Sequence, residues 1–570
     1  MTNKPQDIIF TGIDDEFRAT LNTLERIHFT KRLFAKDPTL WKGEKCTENS
    51  IRDRLGWIDS IEEFLNEVDK LKQFTEKIKE NNFQDVLVLG MGGSSMCPLV
   101  TWEIFGPQNS YPVLHVLNYT DPDVIKIKEE KIDLKRTLFI VASKSGKTLE
   151  TISLYKYFYE RMKALFPDEF NDHFVAITDK GTSLDALAKD RGFWQIFENP
   201  GDFGGRYSAL SYFGLVPMAV MGINVKDVLV VAKKMKERCG PDQPNAENPG
   251  LKLGAFLASN HRKGRDKLTF ILPHSIHSFG LWVEQLLAES TGKEGIGIIP
   301  IAGELLGGLE RYNNDRMFVY IYIAEEWDQD VDEKLRRLEE AGHPVVRICL
   351  NTKIDLGAEF FRWEMATAVA GSLMGINTFD EPAVLESKLN SKKLLKEYEH
   401  SRKLPECDPL IQEEDMMIYC EQSEHHFSAG VPGSIKDALN TFLELRGSSD
   451  FLAILACFGL TPERHKTLRD IRMRLRNSLK VATSLDYGPA YLHSTGQLYK
   501  GGPANGLFLM LTGDPKCDLP IPDEGYSFAV LQKAKALGDF QALTAEGRKA
   551  VRLHLGQNIE ANLEKVKSWL

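Results

Sequence analysis

Three short runs in this 570-residue chain bring together residue types that hold and move charge. The first is Gly90-Met91-Gly92-Gly93-Ser94-Ser95, directly after the apolar run 85–89. Glycines let backbone N–H groups approach a ligand closely, and hydroxyls at a helix start add donors, so this run fits an anion. It departs from the dinucleotide fingerprint GxGxxG at Ser95, and its two serines suit a phosphate monoester better than a dinucleotide. A tight strand-to-helix turn is the plainer alternative. The second run, Ser143 to Thr151, holds four hydroxyls (Ser143, Ser145, Thr148, Thr151) and two lysines (Lys144, Lys147). Its Gly-Lys-Thr invites a nucleotide-triphosphate reading, but the leading glycine of GxxxxGK[ST] falls on Val141, so that motif fails. A hydroxyl cluster at a helix start hydrogen-bonds one phosphate in several ways, or simply caps the helix. The third run, Gly204-Gly205-Arg206-Tyr207-Ser208, lets a guanidinium reach over a cleft, where it can hold a developing oxyanion.

These runs need a scaffold that presents strand ends. Short apolar runs at 85–89, 114–117, 138–142 and 174–178 alternate with stretches long enough for helices, which predicts a doubly wound parallel sheet. The texture returns at 267–272, 317–324 and 345–350, so two tandem α/β lobes are expected. Apolar residues at helical spacing in 61–79 make the start helical. Strand-like runs at 450–458 and 507–511, with a helix at 462–479, give a smaller C-terminal α/β region. The expected division is 1–83, 84–225, 226–395 and 396–570. Within 462–479, Arg464, Lys466, Arg469, Arg472, Arg474 and Arg476 form a basic face, read as solvated or subunit-facing, while Leu468, Ile471 and Leu475 supply an apolar stripe.

Composition narrows the function class. The chain has 71 Lys and Arg against 81 Asp and Glu, a net charge of −10, which disfavours a nucleic-acid partner. Its longest apolar stretches are strand-sized, well short of the roughly 20 residues of a membrane-spanning helix. Eight scattered cysteines form no CxxC pair, and no ligand cluster for a metal or nucleotide stands out, so the expectation is a cytoplasmic protein with reduced thiols and no cofactor.

The three loops, in this order and spacing, resemble the glucose-6-phosphate isomerase family. The likeness continues through Leu356-Gly357-Ala358, Trp363-Glu364, Ile376-Asn377-Thr378-Phe379-Asp380-Glu381-Pro382 and Lys388, covering about 80–395. The stretch 488–502 resembles the variant fused behind transaldolase in bifunctional enzymes, although residues 1–83 leave no room for such a barrel.

The resemblance implies two sugar-isomerase domains, a hexose 6-phosphate substrate and a homodimer. It implies that Ser94, Ser143, Ser145 and Thr148 hold the phosphate, with Lys144 in the same loop. Arg206, with the Gly205 backbone, would stabilise an enediolate, Glu150 would lie near the sugar, and Lys388 would assist ring opening. The catalytic base maps to Glu289, with Glu284 and Glu294 as rivals. Glu381 replaces a glutamine common in the family. The histidine that opens the sugar ring has no aligned counterpart. His493 is the best replacement, ahead of His274, His277 and the pair His425-His426, and His343 reads as structural. Three other readings stay open: acceptance of mannose 6-phosphate as well, a sugar-phosphate-binding protein without turnover, and a NAD-dependent dehydrogenase.

Overall fold

The computed structural model describes residues 8–42, 45–166, 170–421, 427, 430 and 432–570. Among them, sixteen strands form three separate sheets. The described residues begin with a three-residue strand, β1 (Ile8–Phe10), ahead of the expected helices. The first lobe holds β2 (Asp85–Gly90), β3 (Val113–Leu117), β4 (Thr137–Ala142), β5 (Phe174–Asp179) and β6 (Gln195–Asn199). The second holds β7 (Lys267–Ile271), β8 (Ile299–Ile301), β9 (Arg316–Ile323) and β10 (Val345–Leu350). The third holds β11 (Ile411–Glu413), β12 (Met416–Tyr419), β13 (Phe451–Cys457), β14 (Ala482–Tyr487), β15 (Gly506–Thr512) and β16 (Lys549–His554).

The first sheet is all parallel, in the order β3-β2-β4-β5-β6. The second runs β1-β10-β9-β7-β8, with β1 added antiparallel at one edge. The third runs β11-β12-β16-β15-β13-β14, with β11 and β12 as an antiparallel edge. Residues 396–570 therefore carry the sheet with most strands, and the region expected to be smaller is a full lobe. Every residue of β4, β13 and β15 is buried, as expected for parallel strands covered on both faces. In all three lobes the chain builds outward from the first parallel strand to one side, then crosses to the other. The crossing points lie between β2 and β4, β7 and β9, and β13 and β15. Ligands of open α/β sheets bind at such points, outside the carboxyl ends of the strands.

The N-terminal helices brace two loops that matter later. Trp57 packs on Tyr207 and Phe361, with ring centroids 5.4 and 5.6 Å apart. Trp41 and Tyr207 both pack on Phe379, at 4.8 and 5.3 Å. These rings lock the loop carrying Arg206 against the loop carrying Asp380 and Glu381.

The third lobe is joined to the second through a buried carboxylate. Glu304 accepts from the backbone N–H and hydroxyl of Thr483 at 3.1 and 3.0 Å and pairs with Arg316 at 3.1 Å. Burial would raise its pKa, but Arg316, Arg472 and Arg476 together hold it below the usual carboxylate range. The basic face of Pro462–Leu479 is thus only half solvated. Lys466, Arg469 and Arg474 are exposed, whereas Arg464, Arg472 and Arg476 are buried. A second tie is Asp539, which accepts from Lys500 at 2.7 Å, Ser387 at 2.8 Å and Tyr491 at 2.6 Å, all buried.

Candidate active site

The first-lobe crossing point places the two hydroxyl loops side by side. Ser94 and Ser143 are buried, Thr148 is half-buried and Ser145 is exposed. The helices that follow β2 and β4 (Gly93–Phe105 and Leu149–Leu165) have no side chain capping their first N–H groups. Their neighbours Pro122–Lys131 and Ser183–Asp190 are capped by Asp121 and Thr182. The uncapped pair therefore leaves backbone donors available to an anion where the hydroxyls also converge. Lys144 does not point freely into this space, since its ammonium is held by Asp179 at 2.5 Å. Thr151 is buried below the loop.

Gly92 has φ +57°, and a Cβ there would lie 2.8 Å from the His493 carbonyl oxygen and 3.3 Å from Gln285 Nε2. A Cβ on Gly93 would lie 2.0 Å from the Gly205 carbonyl oxygen. These contacts require glycine, and they bring the phosphate loop against the second and third lobes.

Beside this loop lies the first ionic cluster. Arg206 is 3% exposed. Its Nε donates to Ser290 Oγ at 2.7 Å, and Nη2 donates to the carbonyls of Thr378 (2.6 Å) and Asp380 (3.0 Å). Nη1 donates to Glu381 at 3.2 Å and lies 3.7 Å from Glu289 Oε1, too far for a hydrogen bond. A guanidinium has five N–H donors, so one on Nη1 remains uncommitted beside Glu289. Glu289 is pushed up to about 7, chiefly by burial and further by the Glu381 charge, against the pull of Arg206. Burial would raise Glu381 too, but Arg206 and Arg54 hold it below the usual range. Lys293, four residues beyond Glu289, is drawn down to about 8 by burial and the Arg206 charge. It donates to the Asn377 carbonyl at 2.6 Å and pairs with Asp380 at 2.9 Å.

The rival carboxylates stand elsewhere. Glu284 accepts from the Ala302 N–H at 3.2 Å, and burial with a neighbouring Asp486 pushes it well above the usual range. Glu294 pairs with Lys42 and is exposed.

The second cluster is built around Glu150. His493 Nε2 lies 3.1 Å from Glu150 Oε1, and Lys535 Nζ lies 2.8 Å from the same oxygen. Burial would raise Glu150, but Lys535 and His493 hold it well below the usual range. The run that carries His493 is fastened across the site by Gln497. Its amide donates to the Gly292 carbonyl at 2.9 Å and accepts from the Ala383 N–H at 2.8 Å.

Of the residues singled out in the sequence, Ser94, Ser143, Thr148, Glu150, Gly205, Arg206, Glu289, Glu381 and His493 converge on this region. Lys388 is exposed on the helix Val384–Ser401, and no hydrogen bond or ion pair joins it to either cluster. His274 and His277 stack on each other away from both clusters, and His343 is buried beneath β9. His425 and His426 lie outside the described residues. Three members were missed. Gln285 donates to the His493 carbonyl at 2.9 Å and to Glu289 at 3.4 Å, and its position one helical turn before Glu289 is a readable signal. Lys293 and Lys535 carried none.

The phosphoglucose isomerase family model matches residues 48–297. The chain is 28% identical over 378 residues to a probable glucose-6-phosphate isomerase of Methanococcus maripaludis, covering 60% of this chain and 84% of that one. It is 28% identical over 384 residues to glucose-6-phosphate isomerase of Campylobacter jejuni, covering 60% and 92%. In fold it is similar to the crystal structure of a glucose-6-phosphate isomerase from Chlamydia trachomatis, with a TM-score of 0.55, 19% identity and coverage of 67% and 86%. The matched segment runs from the N-terminal brace through the phosphate loops to Glu289, and over it this chain is similar to the phosphoglucose isomerase family.

Proposed function

We propose that this protein interconverts glucose 6-phosphate and fructose 6-phosphate through an enediolate. The observation that carries the reading is the pairing of Glu289, raised to about 7, with the one uncommitted Arg206 donor beside it. Aldose-to-ketose conversion takes a proton from C2 and returns one to C1. The C2–H bond breaks onto the carboxylate, its electron pair forms the C1–C2 double bond, and the C1 carbonyl oxygen becomes an anion. The O2 hydroxyl proton then passes to O1, the O2 electron pair forms the C2 carbonyl, and the double-bond pair takes the proton back from the carboxyl at C1, with no net oxidation. A base with a pKa near neutrality can both take and give that proton. The oxyanion needs a fixed donor that is not already satisfied, which the free Nη1 hydrogen supplies.

The phosphate is assigned to Ser94, Ser143, Ser145, Thr148 and the two uncapped helix starts, and its binding energy positions the distant carbons. His493, oriented by Glu150, is assigned the proton transfer at the ring oxygen. Glu381 takes the place next to Arg206 where relatives of the family pattern have glutamine. We assign the protein to the cytoplasm, as a homodimer on the strength of the resemblance.

The test is conversion of fructose 6-phosphate by purified protein, read through glucose-6-phosphate dehydrogenase with EDTA present. Turnover supports the reading. Silence from a protein that still binds fructose 6-phosphate by calorimetry would make it a binding protein.

A further inference from the structure

The third lobe has the same winding as the first, and its crossing point between β13 and β15 is not used by the chemistry above. A cavity of about 400 Å³ opens there, reached by Cys457 at the end of β13, Thr512 at the end of β15 and His554 at the end of β16. It lies beyond residues 48–297, the segment matched by the family model.

Its lining is cationic. Arg402, Lys403, Lys533 and Arg552 face it, against Asp514 in the wall and Glu406 behind. Arg552 is the deep member, 2% exposed. Its guanidinium lies 3.7 Å over the Tyr419 ring and donates one hydrogen bond to Glu406 at 2.8 Å, while its buried Nε has no partner among the described residues. Glu406 is shared with Lys533 at 2.6 Å. Asp514 lies 3.4 Å from His554 Nε2. Among the described residues, neither Arg402 nor Lys403 pairs with a carboxylate; Arg402 donates to the Gly525 carbonyl at 2.6 Å. The opposite wall is apolar, with Val530 and Leu537.

The two crossing points differ in how they present donors. In the first lobe the helices are uncapped and hydroxyls converge. In the third, Thr461 and Ser527 cap the helices that follow β13 and β15, each taking one backbone donor. Side-chain cations line the cavity instead, and a buried guanidinium with a spare donor is suited to the fixed geometry of a phosphate group.

We propose that this cavity is a second binding site, for a small phosphorylated metabolite. The phosphate would sit between Arg552 and the rim cations, with the carbon skeleton against the apolar wall. The proposal does not depend on the isomerase reading, because the two sites share no residue.

The test is titration calorimetry of the full chain with inorganic pyrophosphate, on wild type and on two variants. One is Lys403→Ser/Lys533→Ser, at exposed positions that belong to neither ionic cluster. The other is Ser143→Ala/Thr148→Val, in the first lobe. We expect two sites per chain in wild type. The lysine variant should lose one of them, or weaken it at least tenfold, with wild-type turnover and melting temperature. The first-lobe variant should lose the other. A single site in wild type, or two unaltered sites in the lysine variant, would overturn the proposal.

Discussion

Glu289 and Glu150 are the same residue type, both sheltered, on opposite sides of one site, and their environments drive them apart. The nearest cation to Glu289 is Arg206 at 3.7 Å, and that guanidinium gives four of its five hydrogen bonds to Ser290, Thr378, Asp380 and Glu381. Burial therefore wins, and the carboxyl rises to about 7. Glu150 is more deeply buried, at 1% exposure, yet Lys535 at 2.8 Å and His493 at 3.1 Å overcome the desolvation and keep it ionised. Burial alone does not make a base. What decides is whether the nearest cation bonds the carboxylate directly. On this account the first glutamate moves a proton, and the second orients a histidine without changing its own charge.

The largest expected effect breaks the first half of that contrast. Glu289→Gln should lower kcat by roughly 10²- to 10⁴-fold, the range of a lost general base, with KM for fructose 6-phosphate within about a few-fold. Retained turnover would remove Glu289 from the reaction. Next, Arg206→Ala should cost roughly 10²- to 10³-fold in kcat, the scale of one oxyanion donor. A change confined to KM would make Arg206 a substrate anchor instead. The second half of the contrast is sharpened by pairing His493→Ala with Glu150→Gln. If the dyad acts as a unit, each should lower kcat/KM by about 10²-fold and the double variant little further. Additive losses would mean two independent roles. The smallest effect is expected from Lys388→Ala, less than about tenfold, because an exposed ammonium acts weakly through water.

Much of this was readable in the sequence because the buried parallel strands are plain apolar runs. β2, β4, β5, β7, β9 and β13 announce themselves, and the glycine and hydroxyl loops follow them directly. Strands with polar or charged residues do not. β14 (ATSLDY) and β16 (KAVRLH) break the apolar pattern because Thr483 binds Glu304 and Arg552 reaches the third-lobe cavity, contacts that depend on distant segments. The same limit applies to the site. Lys535 lies 385 positions after Glu150 in the chain, and no local spacing connects them. The half-buried basic face of Pro462–Leu479 was likewise hidden, since its partner Glu304 lies in another lobe.

The measurement that tests the central claim most directly is kcat/KM for fructose 6-phosphate against pH, for wild type and Glu381→Gln side by side. Glu289 must be ionised to accept a proton, so wild-type kcat/KM should fall as the pH drops through about 7. The Glu381 charge is one cause of that elevation, and its removal also releases Arg206 toward Glu289, so both changes favour the carboxylate. The acid limb should therefore move to lower pH in Glu381→Gln. A limb that stays in place, or moves up, would contradict the assignment of Glu289 as the base tuned by this cluster.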